Sequence, residues 1–383
     1  MLSTLQQYQQ HLVETLRASC DPPSERVLDA FLTVPRHPFV DHYYLHEEGT
    51  RNWTRYERDE SPEWYEQVYS DQALATRVDQ HGRSLSSSSQ PTVMATMLDA
   101  LEIQPGMRVL EVGTGTGYNA ALIASLVEDP HLVTTLDIDP DAIYRARQAI
   151  TQVVGRGMTI EQGDGVKGYR TNAPYDRILV TASSPTVPRD WMEQLAPNGI
   201  VVCVLQPGFA MLGGLLKAQK TAEMLKGKIF GPATFMVLRD TIYTKRSIQI
   251  GFRAPLYASF PLDPTLFPPH LIRENSDFAF FLYYDIPDLY VFQKKEDLFF
   301  STEMFPQGYV VFRQPPASQV ELRGDHSCAC ALWNRLVRAY SLWLHCGRPA
   351  ITQYHFEMDN DSQSLSVPTP FGVVWPFVTN SQR

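Results

Sequence analysis

Residues 109–121 read VLEVGTGTGYNAA: an apolar run, a turn carrying Gly113, Gly115 and Gly117, and the start of a helical pattern. Glycines in such a turn let the backbone pass close to a ligand, and the helix that follows offers N–H groups without partners. The third glycine comes one residue earlier than in G-x-G-x-x-G, and Tyr118 stands where that glycine would be, which disfavours a nicotinamide dinucleotide. The next strand-like run, LVTTLDI, ends in Asp137, placed to bind the two hydroxyls of a ribose. Asp139 is its rival, but Asp139-Pro140-Asp141 reads as a helix start. A third run ends in Gly163-Asp164-Gly165, where the Asp164 carboxylate can accept from an adenine amino group beside two permissive glycines. Three strand ends in order make a nucleoside-shaped set; the plain alternative is that these are ordinary acidic loop residues.

A second candidate lies upstream. Residues 86–91 read SSSSQP, which has the composition of a flexible linker, yet an apolar-periodic run, TVMATMLDAL, follows at once. One of those serines can cap that helix, since serine is a favoured N-cap and Pro91 opens the first turn. Four in a row also leave a hydroxyl for chemistry.

The elements that must hold these residues alternate. Between Leu101 and Leu205, apolar β-branched runs (MRVLEV, LVTTLDI, MTIEQ, DRILVTA, IVVCVL) are separated by helical stretches such as NAALIASLV, DAIYRARQAITQVV and RDWMEQLAP. Strands apolar throughout, with amphipathic helices between them, predict an α/β fold with a doubly wound, mostly parallel sheet covered on both faces. About 100 residues with helical patches precede this core. After Asp240 come aromatic, strand-like, proline-punctuated runs, FAFFLYYDIPDLYVF and GYVVFRQPP. CALWNRLVRAYSLWLHCG then reads as a helix with Leu332, Leu336, Tyr340 and Leu344 on one face and Gly347 as its stop. The expected organisation is an N-terminal helical segment with an insert (1–80), a nucleoside-binding core (81–240) and a C-terminal α+β domain (241–383).

The 383 residues carry a net charge of −9, and no Lys/Arg cluster supplies the basic patch that nucleic-acid binding by counterion release requires. An acidic balance favours a small-molecule or peptide partner. Five scattered cysteines, an odd number, argue for a reducing compartment. With no signal-like N-terminus and no run approaching the ~18 apolar residues of a membrane span, a cytoplasmic, non-membrane protein is expected. His326, Cys328, Cys330, His345 and Cys346 fit no common zinc spacing, so no metal is expected.

In this order the motifs become recognisable. VPRHPFV, SSQP, VLEVGTGTGY, GDG, APYDRILVTAS, VPRDWMEQLAPNGIVV and the closing FMVL, spread from about Arg26 to Leu238, resemble the protein L-isoaspartate O-methyltransferase family, class I Rossmann-like enzymes that use S-adenosylmethionine and release S-adenosylhomocysteine. The resemblance implies Ser89 as the active-site serine, flanked by Gln90. It implies a cofactor site of Glu111, Gly113, Gly115, Gly117, Asp137, Asp164 and Gly165. Thr181, Ala182 and Ser183 would either line the substrate channel or pack their loop, and Tyr118 would pack under the cofactor or only on its helix.

Two features depart from the family pattern. The segment between Asp41 and Tyr69 is longer, and it carries Trp53, Tyr56, Trp64 and Tyr65 among acids. It reads as a surface helix, although aromatics among charges can also grip an extended peptide. The chain also continues well past Arg239. That extension resembles the family branch that tailors ribosomally made peptides, in which an aspartate of a precursor peptide is methylated and its ester closes to a succinimide (aspartimide). Repair of isoaspartate in damaged proteins is the alternative, and a catalytically idle adaptor the third reading. Oligomeric state is not legible.

Overall fold

Four of the apolar runs, Val109–Val112 (β5), Val133–Asp137 (β6), Thr159–Gln162 (β7) and Tyr175–Ser184 (β8), lie side by side as parallel strands. Val109, Leu110, Val112, Val133, Leu136, Ile178, Leu179 and Val180 are all buried, the pattern of a sheet covered on both faces. In the computed structural model, residues 4–47, 52–207, 210, 212–238, 256–303, 307–313, 319–368 and 373–377 are described. The chain forms two compact units. The first comprises Met1–Ala182, Pro188–Cys203 and Gln219–Ala222; the second comprises Ser183–Val187, Val204–Ala218 and Glu223–Arg383.

In the first unit, helices Thr4–Arg17 (α1) and Glu25–Thr33 (α2) precede a four-stranded antiparallel sheet. Its strands are His42–His46 (β1), Trp53–Glu57 (β2), Leu74–Val78 (β3) and Ser84–Ser88 (β4), in the order β2-β1-β3-β4. The aromatic, acidic segment is therefore a strand and then a helix, Pro62–Val68 (α3), rather than one surface helix. Ser61 starts that helix by accepting the Trp64 N–H at 3.1 Å, while Tyr56 stacks on Tyr43 across the β1–β2 pair at 5.3 Å.

The serine run is likewise no linker. Ser84–Ser88 pairs with β3, and Ser89 and Gln90 lead straight into helix Pro91–Leu101 (α4). Helices Tyr118–Val127 (α5), Pro140–Val153 (α6) and Arg189–Gln194 (α7) and strand Leu195–Leu205 (β9) complete the core. Its strand order, β7-β6-β5-β8-β9, reverses direction at β5, so the turn after β5 lies at the point where open α/β sheets bind ligands.

The second unit contains all but the last three residues of Gly213–Thr221 (β10), and Met224–Ala233 (β11), then Leu256–Pro261 (β12), Leu271–Glu274 (α8) and Ser276–Asp285 (α9). Leu289–Lys294 (β13), Asp297–Thr302 (β14), Gly308–Phe312 (β15) and Gln319–Gly324 (β16) join β12 in an antiparallel sheet of order β12-β16-β15-β14-β13. Helix His326–His345 (α10) follows, then His355–Met358 (β17), Gln363–Val367 (β18) and Val373–Phe377 (β19), which extend antiparallel from β11. Phe267, Phe278, Phe300 and Phe312 form the aromatic core, with Trp343 of α10 at 5.1 Å from Phe278.

Two sequence expectations change here. FAFFLYYD is helix α9, not strand: Asn275 caps it by accepting the Phe278 N–H at 2.9 Å, and burial on all sides overrides the β-propensity of its rings. On α10 the buried stripe runs Leu332, Leu336, Ala339, Trp343, and Leu344 is exposed. Steps of four exceed the helical period of 3.6, so a strict i+4 row drifts off the core face.

Candidate active site

The glycine turn is tied to its surroundings by short contacts. Its three glycines have φ of +102°, +53° and +86° at 113, 115 and 117, values that L side chains adopt at a cost. At Gly113 a Cβ would stand 2.6 Å from Thr181 Oγ1, whose hydroxyl donates to the Gly113 carbonyl at 2.7 Å. At Gly115 it would meet the Ser87 carbonyl at 3.2 Å, so the turn and the serine strand abut. Gly117 instead serves packing, since a Cβ there would press on Ala146 and Ile150 of α6 at 3.0 Å.

Asp137 ends β6, half-buried. One of its carboxylate oxygens accepts the Gly115 N–H at 2.9 Å and the other accepts the Asp139 N–H at 3.0 Å. A carboxylate has about four acceptor sites, so these two bonds orient it and leave capacity for a diol. Asp139 caps α6 through the Asp141 N–H at 3.0 Å and forms an ion pair with Arg77 of β3. That position is capping, as its sequence suggested.

Glu111, expected in the cofactor set, is instead fully buried beneath the turn. Asn119 Nδ2 donates to one of its oxygens at 2.7 Å, and the Thr135 hydroxyl bonds the other at 2.6 Å. Burial pushes its carboxyl up to about 7, against the pull of those two hydrogen bonds. Through these bonds it braces β5, β6 and α5. Tyr118 is core too, its ring packed against Phe31 and Phe39.

The Asp164 loop is held by helix α7. Asp164 accepts the Val166 N–H at 3.0 Å, opening a short 3-10 turn, and the Gly163 N–H reaches the Asp137 carbonyl at 2.9 Å. Trp191 of α7, fully buried, donates its indole N–H to the Gly165 carbonyl at 2.8 Å. Gln194, one turn on along the same face, accepts the Tyr169 N–H at 2.8 Å and donates to the Lys167 carbonyl at 2.7 Å. The W-x-x-Q spacing of PRDWMEQL is thus a two-point grip on the loop that carries Asp164.

Ser89 is half-buried, and its hydroxyl has no hydrogen bond among the described residues. It is no cap: the residue before α4 is Gln90, without a side-chain cap bond. The capping group is Asp71, which accepts the Thr92 N–H and hydroxyl, each at 2.8 Å, and the Gln90 side-chain amide at 3.0 Å. Behind the segment lies Arg36, fully buried, bonded to the carbonyls of Val68, Ser70, Gln72 and Ser89 at 3.0 Å and to the Ser88 hydroxyl at 3.2 Å. Burial lowers its pKa to about 10, still cationic at neutral pH. Neither Arg36 nor Asp71 was singled out in the sequence. The local signal was VPRHPFV, an arginine within a largely apolar run.

Thr181 and Ala182 are half-buried at the end of β8. Ser183 is fully buried, with its hydroxyl donating to the Phe235 carbonyl at 3.0 Å. That hydroxyl therefore serves the fold of the second unit.

A Rossmann-like sheet with a glycine turn at its switch point, a ribose-ready acid on the next strand and a third acidic loop defines a class I methyltransferase, and these residues fit S-adenosylmethionine as its cofactor. A model of the protein-L-isoaspartate(D-aspartate) O-methyltransferase family matches residues 6–241. A protein-L-isoaspartate O-methyltransferase of Pyrobaculum islandicum is 32% identical over 231 residues, which are 60% of this chain and 98% of that protein. A protein-L-isoaspartate O-methyltransferase 1 of Syntrophobacter fumaroxidans is 34% identical over 233 residues, 61% of this chain and 94% of its own. A solved protein-L-isoaspartate O-methyltransferase shares the fold over 94% of this chain and 99% of its own, with a TM-score of 0.57 and 21% identity. The chain belongs to this family and is an S-adenosylmethionine-dependent protein carboxyl O-methyltransferase.

Proposed function

We propose that the chain methylates the free carboxylate of an isoaspartyl residue in a peptide or protein, with Ser89 as the group that aims it. The observation that carries this is the Ser89 hydroxyl, without a hydrogen bond among the described residues, in a segment that is held on both sides and abuts the glycine turn through Ser87. The bound cofactor supplies a methyl already activated on a sulfonium. A carboxylate is ionised at neutral pH and needs no general base, so the protein's task is alignment. In this reading the Ser89 O–H donates to one carboxylate oxygen and leaves the other facing the donor. Gly113, Gly115 and Gly117 let the backbone approach, Asp137 holds the ribose hydroxyls, and Asp164, with Gly165, meets the adenine amino group. Gln90, Thr181 and Ala182 border the substrate side. Because charge is annihilated in the transfer, excluding water favours it.

A second reading starts from the length of the chain: the family match ends at residue 241, and the chain runs on to 383. It assigns the extra residues to recognition of a ribosomally made precursor peptide, whose ordinary aspartate is esterified and then closes to an aspartimide. The C-terminal residues do not by themselves divide the readings, because the fold shared with the solved structure covers 94% of this chain. A cytoplasmic setting belongs to either.

Labelled S-adenosylmethionine offered with an isoaspartyl peptide, a linear aspartyl peptide and a precursor peptide encoded beside the gene separates them. Label on the isoaspartyl peptide supports the first reading; label on the precursor alone replaces it with the second. Ser89→Ala is expected to lower kcat roughly 100-fold while leaving S-adenosylhomocysteine binding intact, and full turnover by that variant would remove the serine's role.

A further inference from the structure

A fully buried arginine is costly unless its donors are used, and Arg36 has the Asp71 charge nearby to offset part of that cost. Arg36 uses its donors on two chain segments at once. Nη1 donates to Val68 and Ser70 carbonyls; Nε and Nη2 face the Ser88 hydroxyl; Nη2 also serves the carbonyls of Gln72 and Ser89. A lysine has three donors on one atom and cannot span both segments, whereas the planar fork of a guanidinium fixes their spacing. On the helix side, Asp71 holds Gln90 and Thr92 by three further bonds. Between these two anchors the Ser89 hydroxyl has no hydrogen bond among the described residues.

We propose that Arg36 is a positioning residue: with Asp71 it clamps the main chain of residues 88–92 so that the Ser89 hydroxyl is presented at a fixed place. The proposal rests on the reading of Ser89 given above and deepens it. Asp71 lies in the segment that leads into β3, and Arg36 just before β1, so the serine's place is set by residues distant in sequence.

The test uses the full chain and four proteins: Arg36→Lys, Ser89→Ala, the double variant, and Ser88→Ala, a milder change that removes only the hydroxyl bonded to Arg36. Amide hydrogen exchange is read at residues 86–92, together with kcat on an isoaspartyl peptide and S-adenosylhomocysteine affinity. Arg36→Lys is expected to accelerate exchange at 86–92 with β5 and β6 still protected, and to cut kcat roughly 10- to 100-fold at unchanged affinity. In the Ser89→Ala background the same change is expected to cost almost nothing more, because the group it positions is gone. Ser88→Ala is expected to move both readouts in the same direction by less, and stands in if Arg36→Lys does not fold. Unchanged exchange at 86–92 would overturn the clamp whatever the substrate. An equal loss of kcat in both backgrounds would overturn the positioning role while leaving Ser89 as assigned. Full turnover by Ser89→Ala would overturn both.

Discussion

Glu111→Gln tests whether the acid beneath the glycine turn is held neutral. The carboxyl is fully buried and pushed from the usual 4.5 up to about 7, chiefly by burial, with the nearby Asp137 charge adding to the rise. Because its folded value lies above its unfolded one, the unfolded chain loses this proton first as pH rises. Stability is therefore fully present below about 4.5, falls between 4.5 and about 7, and levels above. At about 1.4 kcal/mol per pH unit the fall amounts to about 3 kcal/mol. Glutamine can reproduce the protonated acid. Its oxygen accepts from Asn119, and its amide donates to Thr135 Oγ1, which can turn its own proton to Thr114 Oγ1, 2.7 Å away. Urea denaturation of both proteins from pH 4.5 to 9 isolates this group, since the difference between them cancels all others. The expected result is near equality at the acid end and a variant up to about 3 kcal/mol more stable at pH 8. A difference that stays flat with pH, or a variant weaker throughout, would refute the reasoning and show the network built for a charged Glu111.

Asp137→Asn must place its amide against the N–H of Gly115 or Asp139, so S-adenosylhomocysteine affinity by calorimetry is expected to fall on the order of tenfold or more. Trp191→Phe leaves the Gly165 carbonyl without its indole partner and is expected to cost about 1–3 kcal/mol in denaturant unfolding. Gly117→Ala drives a methyl to 3.0 Å from α6 at a positive φ; a loss of about 2 kcal/mol or more is expected in the same assay.

The parallel strands and the glycine turn were legible because their signals are local: unbroken apolar runs, a turn only glycine makes cheaply, and a capping acid beside Pro140. Helix α10 was legible for the same reason, with Gly347 at φ +80° behind it. What escaped was set at long range. The serine run carries no apolar alternation, and only its pairing with β3 makes it a strand. Arg36 resembles any surface arginine until carbonyls from residues 68–72 and 88–89 are folded around it. Helix α4 is capped by an acid some 20 residues upstream, so no cap box in its own sequence announces it. Helix α9 misled because a fully buried apolar run has no period to read.

A Cβ at Gly115 would stand 3.2 Å from the Ser87 carbonyl, so the glycine turn and the serine strand meet main chain to main chain. Main chain from the donor side of the proposed reaction and main chain from its acceptor side share a wall, with no adjustable side chain between them. In the proposed reaction the gap across which a methyl travels is then set by the scaffold rather than by a rotamer.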